Sequence, residues 1–181
     1  MQPIGPLMWE HRLIERMVVV LRGELDRLLA GGGIDALLID AGVDFFRTYA
    51  DRTHHGKEED ILFRELLRKP LTPEHRRTMD ELVTEHVQGR QHVKGLVAAK
   101  ERVVGGDAHA VDEVRSHLAW LVDFYPLHIA KEDKRFFHPV MRYFDKKELD
   151  AMLDEMREFD SRMVHERYGY LVEGWELRPR G

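Results

Sequence analysis

The sequence predicts an all-α protein, an up-down-up-down four-helix bundle with an additional C-terminal helix packed outside it. Three observations support this fold class. Apolar residues recur at helical spacing in five long segments, glycine and proline separate those segments, and one pattern of histidine and glutamate occurs twice. At 181 residues, 43% of them hydrophobic and 34% charged, the chain is expected to form a single domain over residues 1–181.

Each expected helix begins or ends at a residue that favours a boundary. The approximate ranges are 7–30, 34–68, 72–104, 108–143 and 145–172, with the bundle itself over about 6–144. The boundary signals are prolines near a helix start or just after a helix end, glycines after a last turn, and an acid pair that can form a capping box. In chain order they are Pro6, Gly31 to Gly33, Pro70, Pro73, Gly105 with Gly106, and Asp145 with Glu148.

The second helix contains a polar interval over residues 50–60, without a large apolar side chain. A bundle helix cannot keep its inner face polar for three turns if that face meets hydrocarbon, because buried polar groups need partners. Coordination to a metal would make buried imidazole and carboxylate tolerable. The interval therefore favours a metal in the core, and the eleven histidines agree with it.

The repeated pattern places a histidine four residues before a glutamate, as His54 with Glu58 and again as His128 with Glu132. Residues four apart lie on one face of a helix and can reach the same point. A lysine, a second acid and a pair of large apolar residues recur in step with each copy, so chance is a poor explanation. Bundles build metal sites from such inward-facing side chains.

One further histidine precedes each copy, on the first helix of its hairpin. The interval from His11 to His54 is 43 residues, and that from His86 to His128 is 42 residues. At about 1.5 Å per residue, all four histidines lie roughly 30 Å from the turn of their hairpin. The sequence therefore predicts that the four imidazoles meet in one layer.

This layer offers four imidazoles and two carboxylates. The chain contains no cysteine, which excludes disulfides and thiolate-bound metal. Imidazole suits iron, zinc, copper and nickel. Because Glu58 and Glu132 reach inward from opposite hairpins, each can bridge two ions, and a two-metal site is expected. An oxo or hydroxo bridge, or a further acid, would complete the charge neutralisation.

Composition also restricts the partners. The net charge of −5 provides no basic surface for nucleic acid. No apolar run has the length needed to span a bilayer, and the N-terminus lacks the pattern of a signal peptide. We therefore expect a cytoplasmic protein without nucleic-acid or membrane partners, and a homodimer stays open.

From about Pro6 to Tyr143 the chain resembles the hemerythrin-like (HHE cation-binding) family, in particular its bacterial and archaeal members. The motifs that carry the resemblance are Glu10-His11, His54-His55-Gly-Lys57-Glu58-Glu59 with Leu62-Phe63, Glu85-His86, and His128-Ile-Ala-Lys-Glu132 with Phe136-Phe137. The resemblance implies a bundle around a non-haem di-iron centre with two bridging carboxylates. The implied ligands are His11, His54, Glu58, His86, His128 and Glu132, with Glu58 and Glu132 as the bridges.

One position departs from the family's oxygen carriers, which have a second histidine one turn after the histidine of the third helix. Here that position is Arg90. Glu15, one turn after His11, is a candidate replacement, and otherwise water or a small ligand holds the position. The other residues that we consider as additional ligands or outer partners are His55, Glu59, Asp133 and His165.

The resemblance implies a di-iron protein that binds or senses a small diatomic ligand (O2 or NO), or handles iron. A di-iron redox enzyme is an alternative, although the Glu-x-x-His motif of ferritin-like oxidases is absent from the sequence. A zinc or manganese site with a regulatory interaction role uses the same ligands and stays open. The matched intervals argue against a metal-free interaction bundle.

Overall fold

The structure, a computed structural model, describes residues 2–176, with side chains described as far as residue 163. Within that part of the chain it is all-α, as predicted, and contains no strand. None of the helices there is both long enough and apolar enough to cross a membrane. The five helices are α1 (Ile4–Leu29), α2 (residues 36–66), α3 (Pro73–Val104), α4 (residues 111–140) and α5 (Lys146–Glu176).

Helices α2 and α4 change their winding where they carry the repeated motif. Regular α-helix gives way to π-helix, whose turns are wider and which occurs mostly in short pieces at functional sites. The π segments are Phe46–His55 and Glu58–Phe63 in α2, and Glu132–Phe136 in α4. Uniform helices were expected over these ranges, so the change of winding is a difference from the sequence analysis.

Most helix boundaries follow the predicted signals. The exception is the start of α1, which begins at Ile4, so Pro6 lies within its first turn and not just ahead of it. The Thr72 side chain caps α3 by accepting a hydrogen bond from the His75 backbone, 3.3 Å away. Asp145 and Glu148 form the expected capping box at the start of α5, with hydrogen bonds of 2.9 and 3.0 Å. Gly31 follows α1 with a φ of 88°, a backbone conformation that residues with a Cβ rarely adopt.

The hydrophobic core is divided into two clusters by the layer that carries the motif. Along α1, Leu7 belongs to one cluster and Ile14 to the other, and His11 lies between them. Along α3, Leu82 and Val93 are divided in the same way by His86. The polar interval of the second helix is therefore one edge of a polar layer that crosses the whole bundle.

Helix α5 packs on the outside of the bundle against the cluster that contains Leu7, as predicted. Its buried contacts include Met152 and Met156. The Phe159 ring approaches α2 so closely that a Cβ on Gly56 would lie 2.8 Å from it. A glycine at that position therefore permits the close packing of α5 beside the repeated motif.

Candidate metal centre

The four predicted histidines meet in one layer and are all buried. His11, His54, His86 and His128 expose between 0 and 2% of their surface. The ring centroids of His11 and His54 are 4.5 Å apart, and those of His86 and His128 are 5.0 Å apart. The prediction from the two matched intervals is confirmed.

The two glutamates of the repeated motif are fully buried, and each carboxylate faces both hairpins. Glu58 has Oε1 at 3.3 Å from His54 Nε2 and Oε2 at 3.4 Å from His86 Nε2. Glu132 has Oε2 at 3.1 Å from His11 Nε2 and Oε1 at 3.4 Å from His128 Nε2. The two oxygens of one carboxylate thus lie beside imidazoles of different hairpins.

Every polar atom that faces the centre of this layer is unpartnered. Among the side chains that the structure describes, none forms a hydrogen bond with the Nε2 atoms of the four histidines or with the carboxylate oxygens of Glu58 and Glu132. Buried polar groups are nearly always hydrogen-bonded, and each exception needs an explanation. Two atoms that each lie about 2.1 Å from a shared ion are roughly 3 Å apart, which is close to the separations observed here.

The outward nitrogen of each imidazole, in contrast, is bound to a carboxylate. Within each hairpin, the glutamate of the first helix accepts from the histidine of the second. His54 Nδ1 lies 2.9 Å from Glu10, and His128 Nδ1 lies 2.8 Å from Glu85. A carboxylate on Nδ1 fixes the tautomer in which Nε2 carries a free lone pair.

The other two histidines receive their carboxylates from the opposite hairpin. His11 Nδ1 lies 2.7 Å from Asp133, and His86 Nδ1 lies 2.7 Å from Glu59. Each of these acids directly follows a glutamate of the repeated motif in sequence. The acid pair of the motif therefore serves both faces of the helix, one acid pointing into the layer and the next binding an imidazole across the bundle.

The lysine of each motif contacts the glutamate that binds the histidine of the same motif. Lys57 is fully buried and donates to Glu10 and, at 2.6 Å, to Asp160 of α5. Lys131 donates to Glu85. Each lysine thus neutralises the glutamate that orients a histidine.

The electrostatics indicate a site that is unfavourable without a cation. Burial raises the pKa of Glu58 well above its ordinary value, and the neighbouring Glu132 raises it further. Burial acts in the same direction on Glu132, but the nearby imidazoles, above all His128, hold the pKa of Glu132 well below its ordinary value. Two carboxylates buried side by side cannot both ionise easily. A bound cation would remove that conflict.

The imidazoles are perturbed in opposite directions. Burial lowers the pKa of His54 to about 4, although Glu10 acts against it. Burial also acts on His11, but the carboxylates of Asp133 and Glu132 outweigh it and raise the pKa of His11 to about 9. Metal ligation needs the neutral imidazole, so a cation would have to displace the proton that His11 otherwise holds.

Taken by position, the inward-facing residues form two groups that could each hold a metal ion. One group contains His11, His54, Glu58 and Glu132, and the other contains His55, His86 and His128. Each residue of a group offers one nitrogen or oxygen atom as a ligand, and these atoms all lie within 4.8 Å of one another. All six residues expected as ligands belong to these two groups, and their donor types fit a transition metal.

The additional candidates take different places. Glu59 and Asp133 are outer partners of the histidines, as described above. The side chain of Glu15 is 39% exposed and lies 3.3 Å from Arg12, so it faces away from the layer. The side chain of His165 lies outside the described residues.

His55 was considered as an additional ligand or an outer partner. The structure places it inside the layer, where it is 2% exposed and stacks on His86 of α3. The signal in the sequence was the adjacency of His54 and His55, which regular helical geometry would separate by 100°.

A cavity of about 240 Å³ leads to this side of the layer. It lies between α2, α3 and α4, and its lining combines apolar and charged side chains. The residues around it are Phe46, Arg47, Asp51, His55, Gly89, Arg90, Val93 and Tyr125. Its volume is below the range of about 300–1,000 Å³ that is usual for larger organic ligands, so it suits a small molecule.

Comparison with known proteins agrees with this geometry. No curated protein and no solved structure matches the chain. The family model described as the hemerythrin HHE cation binding domain matches residues 3–108, which is more than half of the sequence. The buried layer of histidines and glutamates in the core of the bundle agrees with this match. The chain therefore belongs to the hemerythrin HHE cation-binding domain family.

Proposed function

We propose that the chain holds two iron ions in a non-haem di-iron centre and binds or senses a small diatomic ligand (O2 or NO), or handles iron. The observation that carries the proposal is the set of buried, unpartnered atoms described above, four imidazole nitrogens and four carboxylate oxygens that face one another. Such a set is costly in a protein interior unless cations occupy it.

The spacing of the donors supports a pair of ions with shared carboxylates. His11 and His54 would hold one ion, and His86 and His128 the other. Glu58 and Glu132 would bridge them, because each offers its two oxygens to imidazoles of different hairpins. Mixed imidazole and carboxylate donors suit iron, while zinc and manganese can use the same set.

Iron in such a centre would supply a redox-active Lewis acid that binds diatomic molecules. The protein's part is to fix the donors and to exclude water. Four carboxylates orient the four imidazoles, and an apolar cluster lies on either side of the layer. The cavity beside His55 admits a small ligand and little else.

Metal content is the decisive measurement. Protein produced with iron should hold about two irons per chain and show near-ultraviolet charge-transfer absorption. His54→Ala should lose most of this iron, because it removes a buried donor. His138→Ala, which changes an exposed histidine outside the layer, should retain both ions. One metal per chain or none in the unmodified protein would refute the di-iron centre, and stoichiometric zinc or manganese would replace iron in the proposal.

Ligand binding tests the second half of the proposal. The reduced, iron-loaded protein should change its absorption spectrum when O2 or NO is added. Gly89→Leu would narrow the cavity, because even a Cβ at this position lies 3.7 Å from the Phe124 ring and 3.9 Å from the Tyr125 hydroxyl. This variant should bind NO more slowly and still hold two irons. If neither gas changes the spectrum, iron handling would remain as the function.

A further inference from the structure

His55 is surrounded by other imidazoles of the layer. Its ring stacks on that of His86, with centroids 3.9 Å apart and an interplanar angle of 11°, and it stands at 83° to that of His128. Because the lone pair of an imidazole nitrogen lies in the plane of the ring, the His55 ring has to turn out of this stack for His55 and His86 to bind one ion. Each of these three imidazoles offers one ring nitrogen as a ligand, and the three nitrogens lie within 4.8 Å of one another. The three rings therefore form one cluster at the side of the layer that faces the cavity.

A core histidine without a metal would satisfy its ring nitrogens with hydrogen bonds. His55 Nδ1 is buried and, within the described part of the protein, has no hydrogen-bond partner. The nearest acid, Asp51, lies 3.5 Å away and is bound instead by Arg90. The four histidines already discussed each have a carboxylate on Nδ1, so His55 differs from them in its outer contacts.

The orientation of Arg90 leaves room for His55 beside His86 and His128. It lies one turn after His86 in α3, so a histidine at this position would reach the same cluster. Its guanidinium turns outward instead, where it donates at 2.7 Å to Asp51 and at 2.7 Å to Glu59. The side chain is 38% exposed. Arg90 therefore does not enter the cluster of imidazoles that contains His55. It binds the carboxylates of Asp51 and Glu59 instead.

The winding of α2 makes this position available to His55. The π segment Phe46–His55 supplies the local winding with which both His54 and His55 are buried in the layer.

We propose that His55 is a third imidazole ligand of the ion beside His86 and His128, supplied by α2 in place of a histidine on α3. This inference rests on the proposed di-iron centre and deepens it. The two ions then have unequal surroundings, with three imidazoles at one and two, from His11 and His54, at the other.

The test is an anaerobic Fe(II) titration of the full, metal-free chain, with bound iron measured after desalting. His55→Gln keeps a polar side chain of similar size, and circular dichroism checks that it stays helical. We expect the first iron to bind as in the unmodified protein and the second at least about 100-fold more weakly. Loss of an outer partner costs roughly 10- to 100-fold, so Glu85→Gln, which removes the partner of His128, is the matched comparison and should cost less.

Two further measurements separate ligation from packing. Mössbauer spectra of the unmodified protein loaded with ⁵⁷Fe should show two iron sites in equal amounts, of which His55→Gln alters one. In His55→Gly, added imidazole can enter through the cavity that reaches this position and should restore the second iron. Restoration by imidazole is not expected if His55 only packs against its neighbours.

The outcomes distinguish this inference from the proposed function. If the unmodified protein binds two irons and His55→Gln binds both within tenfold of the same affinity, His55 is not a ligand and the di-iron proposal stands. Failure of imidazole to restore the second iron in His55→Gly would also overturn the inference. If the unmodified protein itself binds fewer than two irons, the di-iron proposal fails and the inference fails with it.

Discussion

Each of the four histidines predicted as ligands is held by a carboxylate that sequence spacing alone could not assign. The Glu-His pairs were visible as motifs, but Glu85 does not orient the adjacent His86. It binds His128, which is 43 residues away, while His86 is bound by Glu59. The i, i+4 rule describes neighbours on one helix, whereas these partners are set by the packing of different helices.

Glu85→Gln should lower the affinity for metal by roughly 10- to 100-fold, the range for outer partners of ligating histidines. The amide oxygen can still accept from Nδ1 of His128 but carries no negative charge, and the substitution removes the nearer of the two carboxylates beside Lys131. Glu81→Gln is the control, because Glu81 also approaches Lys131, at 3.6 Å, but is 52% exposed. Metal titration by calorimetry measures both variants, and equal losses would show that charge alone matters.

Glu58→Gln should have opposite effects on the metal-free and metal-loaded protein. Without metal, the variant removes a carboxylate whose pKa is raised by burial and by Glu132. A group with a raised acid pKa destabilises the folded state as the pH rises above its unfolded value. The metal-free variant should therefore be more stable at pH 7, by at least about 1 kcal/mol or 2–4 °C at this length.

The same substitution removes one of the two carboxylates that we propose as bridges, so the variant should fail to hold two irons. Thermal unfolding in chelator compares the metal-free proteins, and elemental analysis measures their metal. At about pH 3, well below the ordinary glutamate pKa of 4.5, Glu58 is protonated in both states and the stability difference should disappear. An equally stable metal-free variant at pH 7 would show that Glu58 is not penalised by its burial.

At the scale of the helices, sequence reasoning predicted the number, order and approximate bounds of all five. It did not predict the π segments, because their cause lies in the layer and not in local propensity. Within five consecutive residues, α2 buries His54, His55, Lys57 and Glu58, more polar side chains than one stripe of a regular α-helix can present. The sequence analysis matched the second copy of the motif to His54 and Glu58, which left His55 as an additional candidate only.

Helix α5 is tied to the metal layer by one buried cation. Asp160 lies 2.6 Å from Lys57, which also contacts Glu10, the partner of His54. Asp160→Asn should lower the free energy of unfolding by about 1 kcal/mol, because it leaves the buried Lys57 ammonium with one carboxylate instead of two. The loss should be no larger, because the Asp160 carboxylate is 44% exposed and burial raises its pKa in spite of Lys57. Both irons should remain, because Glu10 still orients His54.

Asp154→Asn on the same helix is the matched control. Asp154 is 74% exposed and contacts Arg157 one turn away, so its replacement should leave stability within about 0.5 kcal/mol of the unmodified protein. Urea unfolding of the metal-loaded proteins measures both variants. If they behave alike, Asp160 contributes no more than an ordinary surface acid.

At the scale of the whole molecule, the internal repeat predicted more of the candidate site than the family match covers. That match ends at residue 108, before His128 and Glu132. The second copy of the motif predicted both residues, and the structure places them beside the first copy. The unequal surroundings of the two copies, with α5 over Lys57 and an open cavity beside His55, depend on tertiary packing and were not visible in the sequence.

Because the layer separates two apolar clusters, metal removal should affect the stability of the entire bundle. Without ions, the layer retains unpartnered buried atoms and carboxylates that compete for protons. A ligand at 1,000 times its dissociation constant stabilises by about 4 kcal/mol, which corresponds to roughly 10 °C for a chain of this length. Chelation should therefore lower the melting temperature of the iron-loaded protein by about that amount.

Hydrogen exchange should show which parts of the molecule lose stability when the metal is removed. Backbone amides in Phe46–His55 and Glu132–Phe136 should exchange faster after chelation, because these segments supply the donors, whereas amides around Leu21 and Leu118 in the adjoining cluster should keep most of their protection. Glu58→Gln, which is not expected to hold the pair of ions, should show no change on chelation in either measurement. An unmodified protein whose melting temperature is indifferent to chelator would mean that its polar layer is stable without a cation, and the bridged centre would then lose its physical basis.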